Sequence, residues 1–144
     1  MGFGSAVRSC FGKYASWQGR APRSEFWWFQ LFVVVVSFVL SALDAALGLV
    51  VDLGSETVET TSGPITLFNG DLGALSTIWV IVIFLPSLAV LVRRLHDTDR
   101  TGWWYWILLV PCIGPIVIIV FMLLPSTRGD NRFGSDPLNT SPLM

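Results

Sequence analysis

The residues best equipped for chemistry are crowded into one short block. Arg93-Arg94-Leu95-His96-Asp97-Thr98-Asp99-Arg100 holds three arginines, two aspartates and the only histidine of the chain. Guanidinium forks of this kind bind phosphate or carboxylate through paired N–H donors. A histidine beside an aspartate has the ingredients of a general base with an orienting acid. Adjacent residues rarely point the same way, though, and no nucleophile stands out, so an enzyme is not favoured. A metal centre fares worse. One histidine and two remote cysteines, Cys10 and Cys112, do not supply the usual nitrogen and sulfur ligands. Acids alone can hold Mg²⁺ at a phosphate site, but nothing in their spacing argues for it. No metal and no cofactor are expected.

Two other polar blocks carry matching residues: Arg20, Arg23 and Glu25 in the first, Asn131, Arg132 and Asp136 in the second. Together with Arg93, Arg94, His96, Asp97 and Arg100 they could form one Arg/His/Asp cluster. In a structural reading, Arg93 and Arg94 sit at the negative end of a helix dipole. Asp97 and Asp99 then pair with arginines, and Thr98 or Asp99 starts the next helix. In an anion-site reading the arginines converge on an anionic phospholipid headgroup, with Trp103 and Trp104 at headgroup depth. Both readings ask Arg94, His96 and Asp97 to touch another block. The alternative is a small transporter or channel component. Its one intramembrane acid would be Asp44, in the polar company of Gln30, Ser37, Ser76 and Ser87. A path built from so few helices would need a homo-oligomer.

Such side chains must be placed by apolar segments, because the chain is built mostly of them. Of its 144 residues 53% are hydrophobic and only 13% charged, about half the charge of an ordinary soluble domain. Mean hydropathy is +0.65. The net charge of −1 offers no basic field for nucleic acid. The class expected is an all-α integral membrane protein, a single membrane domain over residues 1–144. Within 1–18, Phe3, Val7, Cys10, Phe11, Tyr14 and Trp17 recur at helical spacing, which predicts an interfacial amphipathic helix. Residues 1–25 lack the apolar core of a secretory signal, so the first apolar run is expected to stay in the mature protein.

Membrane segments are expected at 26–51, 74–92 and 103–124, each near the roughly 20 residues that cross a bilayer. Asp44 is either an interface residue where the first segment surfaces or a buried ion site. The loop at 52–73 carries Asp52, Glu56, Glu59 and Asp71 and no basic residue. Its SGP triplet at 62–64 either turns a short hairpin between TVETT and ITLF or lies in a plain loop. The third run has PCIGP, residues 111–115, at its centre. Two prolines and a glycine make a poor helix interior. The run is either one kinked helix or a broken, re-entrant pair, and the break is preferred. Residues 125–144 form a polar tail of turns, then disorder. In it Asn139-Thr140-Ser141 matches the short glycosylation pattern.

Charge sets the orientation. Arg8, Lys13, Arg20 and Arg23 precede the first segment, and Arg93, Arg94 and Arg100 follow the second. Basic flanks stay in the cytoplasm, so the N-terminus is inside, the acidic loop outside and the RRLHDTDR turn inside. A simple third crossing would put Arg128 and Arg132 outside. A break returns them inside, which the same rule favours.

Three blocks carry a resemblance: Gly19-Arg20-Ala21 with Arg23, Glu25, Phe26 and Trp27; Arg93 to Thr98 with Arg100, Gly102, Trp103, Pro111, Ile113 and Gly114; and Gly129 with Asn131-Arg132-Phe133-Gly134 and Asp136-Pro137. In these the chain resembles the YhaH/YhaI-like family of small bacterial inner-membrane proteins, domain of unknown function 805, over nearly its whole length. Pro22 departs mildly, standing where the family commonly has another basic residue. The resemblance implies a multi-helix protein of the bacterial inner membrane. It implies no particular activity.

Overall fold

The computed structural model describes residues 1–60 and 63–138, with residues 50–60 and 63–72 described by their backbone. The elements are α1 (Phe3–Gly12), α2 (Arg23–Leu47), β1 (Val50–Thr60), β2 (Gly63–Gly73), α3 (Ala74–Asp97), a 3₁₀ helix (Gly102–Leu109) and α4 (Ile113–Leu123). Helices carry the fold. The acidic loop is the exception to the all-α expectation, an antiparallel β1–β2 hairpin with Thr60 opposite Gly63. Its valines, isoleucine and threonines favour extended backbone. Of the expected turn at 62–64, Gly63 and Pro64 belong to β2. Residues 61 and 62 and the pattern at Asn139 lie outside the described residues.

The chain packs as two compact units, residues 1–32 with 84–144, and residues 33–83. In the first, α1 docks on the start of α2. Ala6 and Cys10 are buried, Phe3 meets Trp28 and Phe32, and Phe11 meets Phe29 and Phe32, with ring centres 5.9–6.4 Å apart. The helix ends at Gly12 instead of reaching residue 18, because Gly12 holds helix poorly and Lys13 leaves helical backbone. Pro22 offers its carbonyl to the N–H groups of Glu25 and Phe26, so α2 starts ahead of Phe26. It ends at Leu47, before Gly48 turns with φ +63°.

In the second unit, Asp44 caps α3. Its carboxylate accepts the N–H of Leu75 at 3.0 Å, the N–H of Ser76 at 2.9 Å and the Ser76 hydroxyl at 2.7 Å. Ser37 accepts a hydrogen bond from the Trp79 indole at 3.0 Å. Asp44 thus satisfies orphan amides at a helix start.

At 25 and 24 residues, α2 and α3 are about 37 and 36 Å long. Both are long and apolar enough to cross a membrane of about 30 Å hydrocarbon thickness. Their large apolar side chains point outward, with Phe38 76% and Ile81 69% exposed. Apolar faces of this size mark contact with a membrane or with other protein.

α3 continues through Arg93 to Asp97, so most of the expected RRLHDTDR turn is its last helical residues. Asp99 ends the helix and does not begin the next. With φ +57° it lets the Arg100 N–H reach Leu95 O at 2.9 Å and its own N–H reach His96 O at 3.0 Å, a Schellman closure.

The third apolar run is broken. The 3₁₀ helix has 8 residues and α4 has 11, each about 16 Å long, too short to cross. Between them Cys112 takes φ +66°. Gly114 permits the close return: a Cβ there would lie 2.0 Å from the Ile107 carbonyl oxygen. Near the run's ends Trp104 meets Phe121 with ring centres 5.3 Å apart, and the flanking chain closes with the Thr127 N–H donating to Asp97 O at 3.0 Å.

Candidate functional site: a buried arginine–carboxylate cluster

Asp97 is the hub of the first unit. Its carboxylate accepts Arg20 Nε at 3.0 Å on Oδ1, and Arg94 Nη1 and the Ser126 hydroxyl on Oδ2. Its main-chain carbonyl also accepts the Thr127 hydroxyl at 2.9 Å. Arg20, Arg94 and Asp97 are all buried. Arg20 spends its remaining donors on the carbonyls of Gly129 at 2.7 Å and Thr127 at 2.5 Å. Arg94 Nη2 reaches the carbonyls of Met122 and Leu124. One carboxylate thereby ties the linker before α2, the end of α3 and the segment after α4. A charge this deep persists only when it is paired and hydrogen-bonded.

A second pair lies beside it. Arg93 Nη1 donates to Glu25 Oε1 at 2.9 Å, both residues being buried. The same oxygen accepts the Ser9 hydroxyl at 3.1 Å and faces Cys10 Sγ at 3.7 Å, which links α1 to the cluster. Burial, then the Glu25 carboxylate, pushes the Cys10 thiol up to about 12. The Ala21 N–H donates to Arg93 O at 3.1 Å. Arg93 Nε and Nη2 and Arg94 Nε have no partner among the described residues. Three buried arginines face two buried acids here, so the packed cluster has a positive surplus.

His96 points elsewhere. Its ring stacks on Phe133 at 4.0 Å and its Nδ1 lies 3.3 Å from Gly19 O. Asn131 Nδ2 donates to His96 O at 2.9 Å. His96 and Asp97 therefore serve different neighbours, and the base-and-acid arrangement is not formed. His96 and Phe133 also line a cavity of about 610 Å³ with Trp17, Trp103 and Trp106.

The other predicted residues sit outside the buried centre. Arg23 Nε donates to Leu124 O at 2.8 Å. Arg100 lies 4.2 Å over the Phe121 ring and donates to Thr98 O. Arg132 and Asp99 form an exposed pair at 3.1 Å. Asp136 accepts the N–H groups of Leu138 and Gly129, which hold its carboxyl below the usual range. Sequence reasoning passed over Ser9, Ser126 and Thr127, whose hydroxyls serve Glu25, Asp97 and Arg20. Small hydroxyl residues near polar blocks give no periodic signal. It used Arg128 only for orientation and not as a site residue, yet Arg128 lines a cleft of about 440 Å³ with Arg23, Ser24 and Ser126. No group of residues able to hold a metal ion occurs among the described residues.

Comparison with known proteins sets this geometry in a family. The family described as "Protein of unknown function (DUF805)" matches residues 14–135, which include the first two polar blocks and the third up to Ser135. Inner membrane protein YhaH of Escherichia coli (strain K12) is 43% identical over 124 residues, 86% of this chain and 88% of the relative. Inner membrane protein YhaI of the same strain is 36% identical over 129 residues, 90% of this chain and 92% of the relative. No solved structure matches. With a helical fold, two helices apolar enough to span a membrane and these relatives, the chain belongs to the DUF805 family of membrane proteins.

Proposed function

We propose that this is a multi-pass protein of the bacterial inner membrane with its N-terminus in the cytoplasm. In this reading α2 and α3 cross the bilayer, α1 lies in the cytoplasmic interface, and the third run enters and leaves on the cytoplasmic side. The Arg/His/Asp cluster orients the helices and ties them together. Its basic rim engages anionic phospholipid, and the protein acts by holding and organising contacts at that face, not by catalysis. The observation that supports this best is the set of bonds around Asp97, which joins residues before α2, at the end of α3 and after α4. Positive residues at segment ends favour the cytoplasm, and the relatives' printed names place them in the inner membrane. A transport path through Asp44 is not favoured, because its carboxylate already caps α3.

Sidedness tests the reading. In a Cys10→Ser, Cys112→Ser background, single cysteines are placed at Ser55, Asp99 and Asp130, and intact cells are treated with an impermeant maleimide. Labelling at position 55 alone is expected. Labelling at 130 would put the tail outside and defeat the re-entrant topology and the shared cytoplasmic cluster.

A further inference from the structure

Resting on that cytoplasmic, lipid-facing reading, we propose that the cleft between the first turn of α2 and residues 125–128 is a binding site for a phosphate ester, the headgroup of an anionic lipid. Arg23, Ser24, Ser126 and Arg128 line it, with Pro125 and Leu138 as its apolar side, and no acid is among the lining residues. Arg23 is held by its Nε bond to Leu124 O, while its two terminal nitrogens have no partner among the described residues. The Arg128 guanidinium and the Ser24 hydroxyl are likewise uncommitted there, whereas the Ser126 hydroxyl is taken by Asp97. One fork held by its Nε bond, a second that is free to turn toward the cleft, and a hydroxyl suit the non-bridging oxygens of a phosphate ester.

The local charge is unbalanced in the direction the site needs. Leu124 O accepts from both Arg23 and Arg94, bringing two guanidinium groups to one carbonyl. Asp97 must serve Arg94 and Arg20 together. With Arg93 matched by Glu25, Arg20, Arg23, Arg94 and Arg128 are left to Asp97 and the rim carboxylates of Asp130 and Asp136, four cations to three acids. A bound phosphate ester reduces that surplus. Proline on both walls, Pro22 and Pro125, restricts the backbone beforehand, which lowers the ordering cost of binding. Pro125 and Leu138 give the glycerol end of a lipid an apolar surface.

The experiment follows thermal unfolding of the purified full-length protein in neutral detergent. Phosphatidylglycerol, phosphatidylcholine and glycerol 3-phosphate are added separately to the wild type, to Arg128→Gln, to the double variant Arg23→Gln/Arg128→Gln, and to Arg8→Gln as a control on the exposed side of α1. Phosphatidylglycerol is expected to raise the wild-type Tm and phosphatidylcholine to leave it unchanged. The rise should fall at least by half in Arg128→Gln, vanish in the double variant and persist in Arg8→Gln. Arg128→Gln breaks no contact among the described residues, so its result is readable even if the double variant folds poorly. A response to glycerol 3-phosphate alone that depends on the two arginines supports the phosphate site and assigns it to a soluble ester. A full phosphatidylglycerol shift in Arg128→Gln and the double variant overturns the cleft and leaves the broader lipid reading standing. No shift in the wild type overturns both.

Discussion

Asp97 and Asp99 differ by two positions and by almost everything else. Asp97 is buried with two arginines on its carboxylate. Asp99 pairs with Arg132 at side-chain exposures of 50% and 59%. Removing one partner of a buried pair leaves an uncompensated charge, at a cost of about 3–5 kcal/mol. An exposed pair is worth about 0–1 kcal/mol. Asp97→Asn is therefore expected to lower the Tm in detergent steeply, and Asp99→Asn to change it little. Equal losses would mean that Asp97 is not the hub. Both aspartates stand out in the sequence as possible partners of arginine. Which one is buried depends on where the linker before α2 and the segment after α4 pass, and neither has a period to read.

At the scale of elements, the PCIGP break follows from chain chemistry. Two prolines cannot both keep a regular hydrogen-bond ladder within five residues, and each half is too short to cross. The glycine inside it has a narrower task. A Cβ at Gly114 would meet the Ile107 carbonyl oxygen at 2.0 Å and Leu108 Cα at 2.9 Å, both backbone atoms that cannot swing aside. Gly114→Ala is expected to cost at least about 1–3 kcal/mol by forcing α4 off the 3₁₀ helix. Gly4→Ala has open space around it and lies in α1, where alanine should gain about 0.5–1 kcal/mol. Parallel melts of the two variants test this, and a harmless Gly114→Ala would show that α4 and the 3₁₀ helix do not pack at this point. The same break explains why a third segment of crossing length, legible as apolar sequence, is two short helices in space.

For the whole molecule, the segment after α4 is part of the folded first unit. Ser126, Thr127 and Gly129 supply partners to Asp97 and Arg20, and Asn131 holds His96 O. A chain ending at Leu124 loses all of these while keeping every apolar segment. It is expected to insert in the membrane yet melt well below the full-length protein, by an amount comparable to Asp97→Asn. A truncated chain as stable as the intact one would remove the tail from the cluster.

By itself the sequence determined the membrane class, the two long apolar helices and the three polar blocks. Hydropathy and charge placement are sums over local residues and need no partner to be read. It also marked residues 111–115 as a break, since proline acts on its own backbone. Only the tertiary structure decided how the arginines are spent. Arg20 and Arg94 converge on Asp97, Arg93 turns to Glu25, and Arg23 and Arg128 are left facing a cleft. Asp44 reads equally well as an ion site or an interface residue until the N–H groups of Leu75 and Ser76 are seen on its carboxylate. A charged side chain takes the role of whichever partner the fold brings within about 3 Å, and those partners come from segments far apart along the chain.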